Sequence, residues 1–271
     1  MKSTNVLFFC LSFILFTACE KDDKIHTLYQ TLTITELSRA SDDPTEVTHT
    51  EQFYYKSKRI LHTLLSYKNI QTYNGNTISN NTSITYDDLK FMVTTHDESG
   101  NVYTYRRDSF RVTQCDFTEP GTDNTRTYYF SYNEEGYLIQ LIERINDVEN
   151  REITLDYDNG SLTSIKTTTF DDGIADTSIR HFQTGQQINT DKLPFLPLTE
   201  EYPFYFHKVM FYAGLMGKSL KYLPESSSYE GNADETVYYT YTTNPANRID
   251  TCRINTVSYG KSYKRTIAYS Y

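Results

Sequence analysis

The chain has 271 residues, with 26 Lys and Arg against 35 Asp and Glu, for a formal charge of -9. Only 38% of it is apolar, yet it holds 25 Tyr, 15 Phe and 38 Thr, with no Trp. A chain this aromatic is not disordered, and one this rich in Tyr and Thr is not a helical bundle. Its longest basic cluster is Lys56–Arg59, so no nucleic-acid partner is expected.

The N-terminus reads as an address. Lys2 gives a positive start, and Val6–Phe16 is an apolar stretch too short to span a bilayer comfortably. It ends Phe16-Thr17-Ala18-Cys19, which resembles a bacterial lipobox. That resemblance implies a lipoprotein signal peptide over residues 1–18, cut before Cys19, with the Cys19 thiol acylated. An ordinary secretory peptide that happens to be followed by cysteine is the alternative. Residues 19–26 read as a tether. Within it, Lys21-Asp22-Asp23 resembles the surface-export signal of Bacteroides-type lipoproteins, with a plain solvated spacer as the other reading. Together these imply a protein of the outer membrane, anchored by lipid at Cys19 and displayed at the cell surface.

Residues 27–271 read as a single β-meander domain built on one repeated phrase. An aromatic or aliphatic residue, any residue and a Tyr are followed by a polar turn and an aliphatic pair. The clearest copies are Phe130-Ser131-Tyr132 leading to Tyr137-Leu138, and Leu155-Asp156-Tyr157 leading to Leu162. Others centre on Tyr55, Tyr86, Tyr105, Tyr241 and Tyr271. Residues two apart in a strand share a face, so both aromatics of a copy point the same way. Asn159-Gly160 is the preferred type I′ hairpin pair, Asp172-Gly173 a second turn and Ser99-Gly100 a third. Each copy is therefore one hairpin, and about fifteen strands are expected, more than an open twisted sheet carries without curling. The predicted fold is all-β, an antiparallel meander forming a strongly curved sheet or barrel-like shell.

The meander is interrupted once. Tyr157 and Tyr241 are 84 residues apart, against roughly 25 to 30 for an ordinary copy. Pro194, Pro197 and Pro203 exclude a central strand there. Tyr205, Val209, Tyr212 and Met216 then fall at helical spacing, with Gly217 placed as a terminator. Phe204, Phe206, Phe211 and Leu215 make the other side apolar as well, so one short buried helix near 203–216 is predicted, lying as a plug against the concave side of the sheet. A strand through the same aromatics is the competing reading.

Three features combine here: the lipobox, the Tyr-Asp hairpin phrase, and Ala213-Gly214-Leu215-Met216-Gly217-Lys218-Ser219 leading to Tyr222-Leu223-Pro224. Together they resemble a family of Bacteroides-type lipoproteins of unknown function with a porin-like fold. The hairpin phrase also resembles the Rhs/YD-repeat shells of secreted toxins. The family implies a curved, barrel-like antiparallel sheet, and supplies no activity or functional residues.

Motifs for chemistry are sparse. Gly217-Lys218-Ser219 has Tyr212 where a phosphate loop needs Gly, and reads as a helix end. Asp156–Gly160 starts like a calcium loop, but its Gly is one place early and Thr167 replaces the bidentate Glu. His96-Asp97-Glu98 reads as a solvated turn. The six His are scattered, no nucleophile elbow is present, and neither a metal nor a cofactor is expected. Cys115 and Cys252 read as buried small hydrophobes, with a disulfide left open. The expected function is non-enzymatic: a membrane-anchored surface binding or scaffold module for a glycan or protein ligand. The alternative is a glycan hydrolase whose carboxylate pair is assembled by the fold. Regular Tyr stripes could stack on sugars, but cross-strand packing explains them better. Charges on both faces of the strands, as in Arg106, Arg107, Asp108 and Arg111, predict a soluble domain rather than a membrane pore.

Overall fold

The computed structural model describes residues 31–40, 47–58, 61–73, 76–87, 92–108, 110–171, 173–232 and 234–271. The signal peptide, Cys19 and the tether lie outside the described residues, as does Asp172 of the expected second turn.

The chain opens with β1 (Thr31–Ala40), β2 (Val47–Lys58), β3 (Leu61–Tyr73) and β4 (Asn76–Tyr86). There follow β5 (Met92–Asp97), β6 (Val102–Arg107), β7 (Val112–Thr118) and β8 (Arg126–Tyr132). Next are β9 (Leu138–Ile145), β10 (Val148–Asp158), β11 (Ser161–Asp171) and β12 (Ile174–Ile188). After an insert come β13 (Tyr222–Tyr229), β14 (Glu235–Thr243), β15 (Ile249–Ser258) and β16 (Lys261–Ser270). Every strand pairs antiparallel with its neighbours in sequence, and β1 closes the ring on β16 from Thr33 opposite Ser270 to Ala40 opposite Tyr263. The curved sheet predicted above is thus a closed barrel, which leaves no strand edge unpaired. Asn159 and Gly160 take φ of 49° and 81°, the two positive values a type I′ turn requires. Asn146-Asp147 and Tyr259-Gly260 do the same, without the sequence signal that marked the first.

Alternation sorts each strand into an apolar inner and a polar outer row. In β8, Tyr128 and Phe130 are buried while Tyr129 and Ser131 are exposed. In β15, Cys252 and Ile254 are buried and Arg253 is exposed; in β11, Ile165 is buried and Lys166 exposed. The outer row is laced across strands by polar pairs, among them Gln140 to Glu152 (2.7 Å), Ser164 to Asp156 (2.6 Å), Thr242 with Thr251 (2.7 Å) and Arg106 with Asp116 (3.2 Å).

The repeated Tyr has a defined task. Five of them, at the ends of even-numbered strands, donate their hydroxyls to carbonyls at or near the start of the preceding odd-numbered strand. The pairs are Tyr86 to Leu64 (3.1 Å), Tyr132 to Val112 (2.7 Å), Tyr157 to Leu138 (2.7 Å), Tyr241 to Pro224 (3.1 Å) and Tyr271 to Ile249 (3.0 Å). These straps mark one rim of the barrel. They use the tyrosines as packing and hydrogen-bonding elements.

The insert between β12 and β13 enters at the same rim and fills the lumen. It holds α1 (Leu196–Glu200), a 3-10 turn at Phe204–His207 and α2 (Lys208–Tyr212). Phe204, Met210, Tyr212 and Met216 are buried against the inner rows, and burying each such side chain contributes about 1.5–3 kcal/mol. The Tyr212 ring stacks on Phe53 at 4.0 Å, and the Tyr55 hydroxyl donates to the Tyr212 carbonyl (3.0 Å).

The plug is as predicted in place, but its helix is shorter than 203–216. It stops at Ala213 because Gly214, at φ 71°, takes the left-handed position. Gly214 N–H donates to the Phe211 carbonyl and Leu215 N–H to that of Met210, which is a Schellman stop. The expected terminator, Gly217, serves a different end. A Cβ there would lie 2.7 Å from the Gly136 carbonyl oxygen, so Gly217 lets the plug backbone dock on the β8–β9 turn.

Candidate functional site

The inner rows are apolar near the strapped rim and charged further along. Glu36 follows Leu32 and Ile34 on the inner row of β1, and Glu51 precedes Phe53 and Tyr55 on that of β2. Arg126 precedes Tyr128 and Phe130, Glu143 follows Leu141, Arg180 precedes Phe182, and Arg265 precedes Ile267 and Tyr269. The antiparallel order brings these charges to one level, where they meet the tip of the plug.

The charges at the plug tip, on Glu200, Glu201 and Lys208, are each held there. Arg265 spans Glu36 of β1 (Nε to Oε1 2.7 Å, Nη2 to Oε2 2.8 Å) and Glu200 of α1 (Nη1 to Oε2 3.0 Å). Burial works against its charge, but the hydrogen bonds to Glu36 and Glu200 outweigh that and raise its pKa. Lys208 Nζ donates to Glu51 (2.9 Å), which also accepts from the Tyr67 hydroxyl (2.5 Å). Burial, reinforced by the Glu51 carboxylate, keeps Tyr67 protonated far above the usual phenol range. The fully buried Glu143 accepts from the plug's Tyr202 hydroxyl (3.1 Å) and from Asn150 (2.9 Å), and Arg126 lies 3.7 Å from it. Arg151 covers the Tyr202 ring at 4.2 Å. Arg180 reaches Glu201 (3.5 Å), the Ser227 hydroxyl (3.1 Å) and the Tyr239 hydroxyl (3.0 Å). Burial raises the pKa of Glu201 against the pull of Arg180.

Between the plug tip and the rim opposite the straps lie three adjoining cavities, together a cup. One of about 340 Å³ is lined by Ile34, Glu36, His49, Glu51, Lys208 and Arg265, among others. A second, about 190 Å³, lies between β3–β6 and the tip, with Tyr103, Tyr205 and Phe206 in its wall. A third, about 260 Å³, is lined by Arg180, Glu200, Glu201, Glu235 and Tyr239. Lys208 borders the first two, and Glu200 and Arg265 border the first and third. The arrangement suits a polar ligand held by many groups, since Glu36, Glu51, Glu200 and Glu201 are already tied to cations.

The motifs weighed in the sequence lie elsewhere or serve structure. Lys218 N–H donates to the Gly136 carbonyl, and the Ser219 hydroxyl to that of Lys192 (2.7 Å), so Gly217-Lys218-Ser219 is a docking segment. Asp156–Gly160 is the end of β10 and its hairpin turn. Asp97 accepts from Ser99 and Asn101 N–H groups (2.9 and 3.0 Å), which makes His96-Asp97-Glu98 a capped turn. Cys115 and Cys252 are free and buried, without the disulfide left open above. Burial pushes the Cys252 thiol up to about 12. Among the described residues, no group of three His, Cys, Asp or Glu is placed to hold a metal. The belt of ion pairs was missed from the sequence, although its signal was there: charged residues in register with the apolar inner row.

Fold and site together define a porin-like barrel whose lumen is occupied by its own insert. The chain belongs to the family described as a domain of unknown function (DUF4595) with porin-like fold, whose model matches residues 53–249. It is similar to the crystal structure of a porin-like protein from Bacteroides uniformis ATCC 8492, with 28% identity over 89% of this chain and 96% of that one, at a TM-score of 0.73. A porin-like protein from Bacteroides vulgatus ATCC 8482 shares the fold at 12% identity, covering 88% and 97% of the two chains with a TM-score of 0.57. No curated protein matches the chain.

Proposed function

We propose that this chain is a surface lipoprotein of the outer membrane, anchored through Cys19, that binds a glycan in the cup without converting it. The observation that carries the binding reading is the belt. Glu36, Glu51, Glu143, Glu200 and Glu201 each have an Arg or Lys within ion-pair distance, so the cup presents shaped polar walls rather than an unpaired carboxylate couple. A polar outer row supports a domain that stands in water on its anchor, because charges such as Lys166 and Arg253 on a lipid face would each cost roughly 2–4 kcal/mol at mid-bilayer. The hydrolase alternative needs a carboxyl that holds its proton, and Glu201 is the belt carboxyl whose pKa burial raises, against the pull of Arg180.

Screening the protein against a polysaccharide panel separates the two readings: retained ligand of unchanged length supports binding, and released oligosaccharide supports the hydrolase. Metabolic labelling with a fatty-acid analogue should mark the wild type and not Cys19→Ala; equal labelling of both would remove the anchor. Protease shaving of intact cells then tests surface display. Residues 27–271 alone should stay in buffer without detergent, and ion conduction in a planar bilayer would overturn that.

A further inference from the structure

We propose that the cavity of about 190 Å³ between β3–β6 and the plug tip takes one ring of a neutral sugar. The proposal rests on the cup being the ligand site. The plug side of this cavity is aromatic. Tyr205 is 44% exposed, an unusual state for a ring at the tip of a buried segment, and its centroid lies 4.0 Å from that of Phe206. Tyr103 stands across from Phe206 at 6.3 Å.

Apart from the Asp97 carboxylate, the barrel side is uncharged and polar. Asn69, Asn80 and Thr82 line it. The Asn69 amide is oriented by His49, with Nε2 2.9 Å from Oδ1. Asn amides both donate and accept, as adjacent sugar hydroxyls require. The two charged groups present already have partners. Lys208 is bonded to Glu51, and the Asp97 carboxylate accepts two backbone N–H groups and the Asn101 amide (3.0 Å).

A phosphate or carboxylate ligand would find no unpaired cation here, and a purely apolar one would strand the amides. A ring with an apolar C–H face and a rim of hydroxyls satisfies both walls. The barrel has no free strand edge with which an extended peptide could pair.

The test is calorimetric titration of the full chain, kept in detergent micelles, with soluble starch, a mixed-linkage β-glucan, a mannan and polygalacturonic acid. At least one neutral polymer should bind. Tyr205→Ala and Asn80→Ala should weaken it about tenfold or more, Tyr205→Phe should keep most of the affinity, and Lys166→Gln on the outer row of β11 should leave it unchanged. Unaltered melting temperatures for these variants establish that each is folded. Binding that Glu235→Gln in the neighbouring cavity weakens and Tyr205→Ala does not would overturn this subsite while leaving the cup as the site. Binding of polygalacturonic acid alone would also overturn it. Binding indifferent to every cup variant, or none by any polymer, would overturn the cup reading as well.

Discussion

His207 Nδ1 lies 3.2 Å from the Tyr105 hydroxyl, at the centre of a cage in which Tyr128 and Phe130 meet the imidazole edge-on at 4.4 and 5.1 Å. Its Nε2 has no partner among the described residues. Burial lowers the His207 pKa to about 3, so the ring is neutral in the folded protein at any ordinary pH.

A pH dependence follows from that depression. The unfolded chain takes up a proton near pH 6.5, whereas the folded chain resists until about 3. Between these values the unfolded state binds more protons, so stability falls as pH drops, by up to about 1.4 kcal/mol per unit. His207→Phe, which keeps a ring in the cage, is expected to flatten the slope between about pH 6.5 and 5, above the range where most carboxyls titrate. Urea denaturation at several pH values measures it; an unchanged slope in the variant would rule His207 out as the source.

Arg265 holds a plug carboxylate and a barrel carboxylate with one guanidinium. Arg265→Met leaves Glu36 and Glu200 facing each other without a cation, and is expected to cost about 3–5 kcal/mol. Adding Glu36→Gln and Glu200→Gln to the same chain should recover much of the loss, because neutral amides remove the repulsion. Melting temperatures of the single and triple variants check this.

The Tyr straps predict a graded series. Tyr157→Phe removes one hydroxyl and leaves the ring, and should cost about 0.5–1.5 kcal/mol for the lost hydrogen bond. Tyr132→Phe and Tyr241→Phe act on other hairpins, so a triple variant should approach the sum of the singles. Denaturant midpoints report it, and a neutral triple variant would mean that the hydroxyls contribute nothing.

The two glycines that bracket Met216 are expected to differ. Gly214→Ala has open space around the added methyl and is penalised only by its left-handed backbone, at about 1–2 kcal/mol. Gly217→Ala carries the same strain and also drives Cβ against the Gly136 carbonyl and the Tyr132 ring. It should be the more destabilising of the pair, with protease susceptibility of the plug as a second readout.

Much of the barrel was legible because period-2 alternation is written locally. Phe130-x-Tyr132 declares its own inner face, and Asn159-Gly160 its own turn. Closure was not, since the pairing of Ile34 with Tyr269 joins opposite ends of the chain and no local pattern specifies it. The buried helix was placed correctly and ended wrongly, because Gly214 and Gly217 look alike until the neighbours of each are known. The cup lay furthest out of reach. Arg265 meets Glu36 across nearly the whole sequence, and only its parity with Ile267 and Tyr269 hinted that it faced inward.

The insert leaves the barrel where it entered. Asn189 N–H donates to the Lys221 carbonyl (3.0 Å), so the first and last residues of the loop meet like the two sides of a buttonhole. A segment attached in this way can be lengthened, shortened or exchanged without shifting the register of any strand. The shell is then a frame, and only the plug side of the cup belongs to a cassette of some thirty residues. A changed cassette would alter the plug side of the cup and leave its barrel side, with Glu36, Glu51 and Asn69, as it is.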